Sequence, residues 1–141
     1  MFASMPSAAR SDVPGTLALT VRALVAACVL LSAVVHLFLW ATGMKSLSVV
    51  GPAFALNAFG GILLGVVVLA WYDSLALLGA MAFGAATLVA FVVSTTPSGF
   101  FNVHEVWSGV PQLLAAGSEI GAIVLAGVGL FLERRRSAAT P

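Results

Sequence analysis

The sequence predicts an all-α fold, a bundle of four transmembrane helices, on three observations. Of its 141 residues, 61% are hydrophobic and only 8% charged, with a mean hydropathy of +1.13. A soluble domain carries about 25% charged residues, so the surface here has too few charges for water. Apolar residues gather in four runs, each near the roughly 20 residues that a helix needs to cross hydrocarbon. Finally, four crossings put both chain ends on one side, and that side collects five of the six basic residues: Arg10, Arg22, Arg134, Arg135 and Arg136.

Residues 1–16, rich in Ser, Ala and Pro, read as a mobile tail, 17–136 as the membrane domain and 137–141 as a second tail. The first span covers about 21–41. It is too long for the apolar region of a signal peptide and lacks a small-residue cleavage site, so it counts as a true span. The second covers about 49–71 and the third 75–94; the Tyr72–Asp73–Ser74 link between them is short enough to make an antiparallel hairpin. The fourth covers about 110–132. The excess of Arg at the two ends orients the bundle with both termini cytoplasmic, and Lys45 alone lies opposite. Trp40, Trp71 and Trp107 fall near span ends, as an interfacial aromatic belt requires.

The longest connection is 94–107. Pro97, Ser98 and Gly99 read as a turn. Asn102, with Glu105 three positions on, fits an N-cap with a capping-box glutamate, so a short interfacial helix over 103–109 is predicted before the fourth span. His104 and Glu105 then lie at the outer surface.

Glu119 is the most informative residue. It is the only charge between Glu105 and Glu133, and it falls in the middle of a span, where an ionised side chain costs about 2.5–3.5 kcal/mol on insertion scales. Such a group is neutral, paired or used. At about 1.5 Å per residue, Glu119 lies roughly 14 Å inside the outer face, Asn57 roughly 12 Å and His36 roughly 8 Å. Cys28, Ser32 and His36 recur every four residues on one stripe of the first helix. Ser108, Gln112 and Glu119 make a stripe on the fourth, and Thr87 and Ser94 one on the third. Lipid cannot satisfy polar side chains, so these stripes should turn inward. Glu119, His36, Asn57, Gln112 and Ser32 are therefore the candidate members of an intramembrane pocket biased to the outer half.

Glycine spacing supplies the packing candidates. Gly61 and Gly65, and again Gly117 and Gly121, form GxxxG, which lets helix backbones approach closely. The Gly117/Gly121 face is nearly opposite Glu119, so it serves either a second face of the bundle or a second chain.

Several function classes lack support. A net charge of +1 gives no case for nucleic acid. A single cysteine, Cys28, makes neither an internal disulfide nor a zinc motif. No phosphate loop, dinucleotide fingerprint or nucleophile motif is present, so no residue is read as catalytic and none as a metal ligand. His36 and His104 are the only histidines, and they could hold haem only if the outer loop folded inward.

The layout resembles the DoxX-like families of small bacterial four-helix membrane proteins. The similar features are Arg22 at the start of helix one, the GMK turn at 43–45, the Gly-rich LNAFGGILLG at 56–65, and PSGFF at 97–101 ahead of an acidic residue and the last helix. Asn57 stands where those families often carry an acid. The resemblance implies the bundle and nothing catalytic, and the Ala/Val/Gly-rich make-up resembles that of high-GC bacteria. The resulting expectation is a multi-pass protein of a bacterial cytoplasmic membrane. Its role is expected to be a non-enzymatic accessory or assembly subunit, with lipid and a homo-oligomer or larger membrane complex as partners and no required cofactor. The alternatives are a small oligomeric transporter or proton-coupled carrier using Glu119, and a redox protein linked to haem or quinone.

Overall fold

A computed structural model describes residues 14–139; Arg10, most of the N-terminal tail, Thr140 and Pro141 lie outside them. The described residues form four helices, α1 (Thr16–Thr42), α2 (Val50–Ala70), α3 (Ser74–Ser94) and α4 (Val110–Ala138), with a 3-10 turn at Met44–Ser46. All four are long and apolar enough to cross a membrane. The start of α1 and the end of α4 lie together at one end of the bundle, where Thr16 and Leu17 share a crevice with Leu132 and Arg136. This is the terminal end; the 95–109 connection closes the other, the loop end.

The bounds differ from the sequence reading at two places. α1 begins at Thr16 rather than 21, so Arg22 lies inside the helix, 1% exposed, instead of flanking it. α4 continues through Arg134–Arg136 to Ala138, because no Gly or Pro interrupts it after Gly129. The other starts have local causes. Asp73 caps α3 by accepting the Leu75 N–H at 2.7 Å. Pro111 occupies the first turn of α4, where its missing N–H is not needed.

The interfacial helix expected over 103–109 does not form. Phe101 (φ 49°) and Asn102 (φ 64°) are both left-handed, and Phe100 and Val103 exchange two N–H···O bonds of 2.9 Å across them. Positive φ at both central residues is the signature of a tight two-residue hairpin turn, which Asn tolerates. Asn102 therefore turns the chain instead of capping a helix. Glu105 is tied back to α3 by its own N–H, which donates to the Ser94 carbonyl at 3.1 Å.

Packing is small side chains inside and large ones outside. The core cluster is Val21, Val25, Ala26, Val29, Val68, Ala76, Leu77, Ala80, Ala122 and Ala126, which fills the terminal half of the bundle. Leu24, Leu31, Phe38, Leu56, Phe59, Leu63, Leu78, Val89, Ile120, Val124 and Phe131 point outward, exposed. In water such a surface would be an aggregation liability. In lipid it is the expected arrangement, because helices associate there through close contact of small residues.

Helix contacts are uneven. α1 packs broadly on α2 and on α4, and α3 packs on α4, whereas α2 and α3 touch much less although they adjoin in sequence. On α2 a Cβ at Gly61 would meet Ala33 and Phe83 at 2.9 and 2.8 Å, and one at Gly65 would meet Leu30 at 2.7 Å. This GxxxG is thus an internal face, mainly against α1. The α4 pair does not act as one unit. A Cβ at Gly121 would meet the Cys28 sulfur at 2.9 Å, but one at Gly117 would meet nothing within 4 Å. Replacing the exposed Gly117 by Ala should therefore stabilise α4 by up to about 1 kcal/mol. Equilibrium unfolding in detergent checks this; a loss of stability would mean that Gly117 is in close contact after all.

Candidate functional site

The loose α2–α3 seam opens toward the loop end into a cavity of about 470 Å³. The volume falls within the ~300–1,000 Å³ range of small-molecule sites. It exists because the residues facing it are small: Ala53 and Gly60 from α2, Ala86 and Ala90 from α3, and Ala115 from α4. Phe54, Phe83 and Phe91 give it aromatic walls, while Phe100, Val103 and Glu105 of the 95–109 connection form its rim. The lining is mostly apolar, with a few polar groups converging on it: His36, Asn57, Thr87, Ser94, Gln112 and Glu119.

Glu119 is at the floor, 1% exposed. Its Oε1 accepts a hydrogen bond of 3.2 Å from the Ser32 hydroxyl. Its Oε2 is buried and has no hydrogen-bond partner among the described residues. A buried polar atom left unpaired costs about 1–3 kcal/mol. The same holds for Nδ2 of Asn57, also buried and unpartnered.

His36 lies one turn above Ser32 on α1. Its Nδ1 is 2.8 Å from the Ser32 carbonyl oxygen. A carbonyl only accepts, so Nδ1 carries the proton, and in the neutral ring Nε2 is left as an acceptor. That Nε2 is 4.0 Å from Glu119 Oε1, too far for a direct hydrogen bond. The ring also packs against Phe54, with centroids 5.0 Å apart. Ser32 thus serves both partners: its carbonyl fixes the imidazole tautomer and its hydroxyl holds the carboxyl. The four-residue spacing of Ser32 and His36 makes this possible on one helix face.

The remaining candidates fall around this floor or away from it. Gln112 lines the cavity, but its amide donates to Glu105 at 2.9 Å rather than reaching Glu119. Glu105 is therefore part of the rim and not a solvated helix start. Thr87 and Ser94 line the cavity from α3, each hydroxyl bonded back to its own helix. Ser108 precedes α4 and is exposed, so it drops out of the stripe. His104 is exposed, with Nε2 3.1 Å from the Pro97 carbonyl, and does not line the cavity. Of the two histidines, His36 alone lines the cavity.

One buried cluster was not read from the sequence. Arg22 uses all five of its N–H donors. Nε and Nη2 bind Glu133 Oε1 at 3.1 and 2.6 Å, Nη1 binds the carbonyls of Val68 and Trp71 at 3.3 and 3.2 Å, and Nη2 also binds that of Asp73 at 2.9 Å. The Val68 and Trp71 carbonyls belong to the C-terminus of α2, where no further turn of helix supplies donors, and the Asp73 carbonyl in the link also accepts the Ala76 N–H at 3.2 Å. Arg22 and Glu133 thus fasten α1, α4 and the α2–α3 link at the terminal end, opposite the cavity. The available signal was an Arg within the first turns of one span and an acid at the matching end of the last.

Fold and site define a class: a four-helix bundle of membrane-crossing dimensions, clasped at one end and hollow at the other. No family model, curated protein or solved structure matches the chain.

Proposed function

We propose that this chain is a non-enzymatic integral membrane protein that holds a small, largely apolar molecule in the α2–α3 cavity, with Glu119, His36 and Asn57 at the molecule's polar end. It works in a bacterial cytoplasmic membrane with both termini cytoplasmic, as an accessory or assembly subunit of a larger complex. One observation carries the binding reading: a carboxyl 1% exposed, half of it unpartnered, at the floor of a 470 Å³ cavity walled by aromatic and small apolar side chains. A site with few convergent polar groups in an apolar hollow has the make-up of a ligand pocket. The DoxX-like layout of the sequence supports the same class of protein, and the outward-facing Gly117 is available for a second chain.

Native mass spectrometry of protein released gently from its own membrane tests this directly. The expected result is a bound small molecule or partner chain, with the small molecule lost in Ala90→Trp, which fills the cavity. Repeated preparations free of both would overturn the reading.

A second reading, a proton-coupled carrier, is favoured by one feature. Glu105 at the rim and Glu119 at the floor line the same cavity, with Gln112 bonded to the first. In liposomes this predicts pH-dependent flux that Glu119→Gln abolishes; a parent protein without flux would reject it.

A further inference from the structure

The polar floor specifies the head group of the molecule it takes, an inference that rests on the pocket reading above. Three residues that line one cavity each carry a polar atom without a hydrogen-bond partner among the described residues. His36 Nε2 is a hydrogen-bond acceptor, because Nδ1 is committed as donor to the Ser32 carbonyl. Asn57 Nδ2 is a buried donor without a partner. Glu119 Oε2 is buried and unpartnered, and accepts as a carboxylate or donates as the acid.

The candidate head groups divide on this set. A carbonyl or ether oxygen only accepts; it serves Asn57 and leaves the imidazole unpaired. An ammonium only donates; it serves His36 and leaves Asn57 unpaired. A carboxylate or phosphate carries a charge into an apolar hollow beside Glu119. A hydroxyl donates once and accepts twice from a single atom, so with Glu119 as the neutral acid, the form an apolar hollow favours, it donates to His36 and accepts from both Asn57 and Glu119. The spacing also fits. His36 Nε2 and Glu119 Oε1 are 4.0 Å apart, and an oxygen about 2.8 Å from each, donating to Nε2 and accepting the carboxylic acid proton carried on Oε1, completes a triangle with acceptable hydrogen-bond lengths.

We infer that the cavity takes a membrane-soluble alcohol, an apolar body ended by one hydroxyl, seated with that hydroxyl among His36, Glu119 and Asn57. The body lies along the α2–α3 seam against Phe54, Phe83 and Phe91. The seam is where these helices are least in contact, so it is also the route by which such a molecule enters from the bilayer.

Photolabelling of the full chain in nanodiscs tests this, using a diazirine-bearing farnesol analogue and its methyl ether. The alcohol should label α2 and α3 peptides at the seam, at a half-saturating mole fraction about tenfold below that of the ether, the effect of one lost hydrogen bond to a buried group. His36→Phe should raise the alcohol's value to the ether's and leave the ether's unchanged, a difference that general loss of folding cannot produce. Asn57→Leu should weaken the alcohol in the same direction. Equal labelling of the seam by alcohol and ether, or tighter labelling by the matched primary amide, would overturn the inference and leave the pocket reading standing. Absence of seam labelling by every probe would overturn both.

Discussion

Arg22→Ala should destabilise the bundle by about 3–5 kcal/mol, the range for removing one partner of a buried, hydrogen-bonded ion pair. Glu133, with its side chain 20% exposed, loses its cation. The carbonyls of Val68 and Trp71 lose their side-chain donor at the point where α2 ends and no further turn of helix supplies one, and that of Asp73 keeps only the Ala76 N–H. Arg22→Lys should recover only part of the loss, because an ammonium has three donors on a flexible stem and cannot reproduce the planar fork that reaches α2, the α2–α3 link and α4 together. Equilibrium unfolding in mixed micelles measures both. A double-mutant cycle with Glu133→Gln separates the ion pair from the carbonyl contacts, and their coupling should reach about 1–3 kcal/mol. A cost for Arg22→Ala within about 0.5 kcal/mol, the scale of an ordinary surface substitution, would show that the clasp is not formed.

The contrast between Arg22 and Glu119 explains how much the sequence could convey. The four spans were legible because each is a long apolar run, and length in lipid leaves few alternatives to a helix. Glu119 was legible because an acid in such a run has no neutral explanation; depth and phase grouped it with His36, Asn57, Gln112 and Ser32, and it is the Ser32 hydroxyl that bonds it. Arg22 was misread as a flank because its main acceptors are backbone carbonyls, which no sequence pattern displays. The turn at Phe101 and Asn102 was misread because Asn suits both an N-cap and a left-handed position; the choice was made by Phe100 and Val103 pairing across it. Helix order was beyond sequence as well. The hairpin link places α2 beside α3, yet it does not reveal that the tight contacts are made elsewhere and that this seam stays open. Gly117 and Gly121 make the same point: equal spacing, but only Gly121 abuts a neighbour.

Gly84→Val should be among the most damaging single changes to the site, although Gly84 lines no part of the cavity. A Cβ at this position would lie 2.8 Å from the backbone oxygen of Glu119 and 3.1 Å from the Ile123 side chain. Ile123 can rotate away, but a helix carbonyl cannot, so any side chain larger than hydrogen must push α3 from α4. That is the contact which sets the position of the Glu119 carboxyl relative to Ser32 and His36. Overpacking of this kind costs about 1–3 kcal/mol, and the branched Val adds strain that Ala would cause to a smaller degree. The functional consequence should exceed the stability loss. A shift of only a fraction of an ångström lengthens the 3.2 Å Ser32–Glu119 bond past hydrogen-bond range. Labelling by the alcohol probe should then fall in Gly84→Ala even at temperatures where the protein remains folded, whereas Gly60→Ala, with nothing within 4 Å of its Cβ, should leave the fold intact. Unfolding midpoints and probe labelling on the same nanodisc samples decide the matter. Gly84→Val with parental stability and parental labelling would mean that the α3–α4 approach does not position the carboxyl.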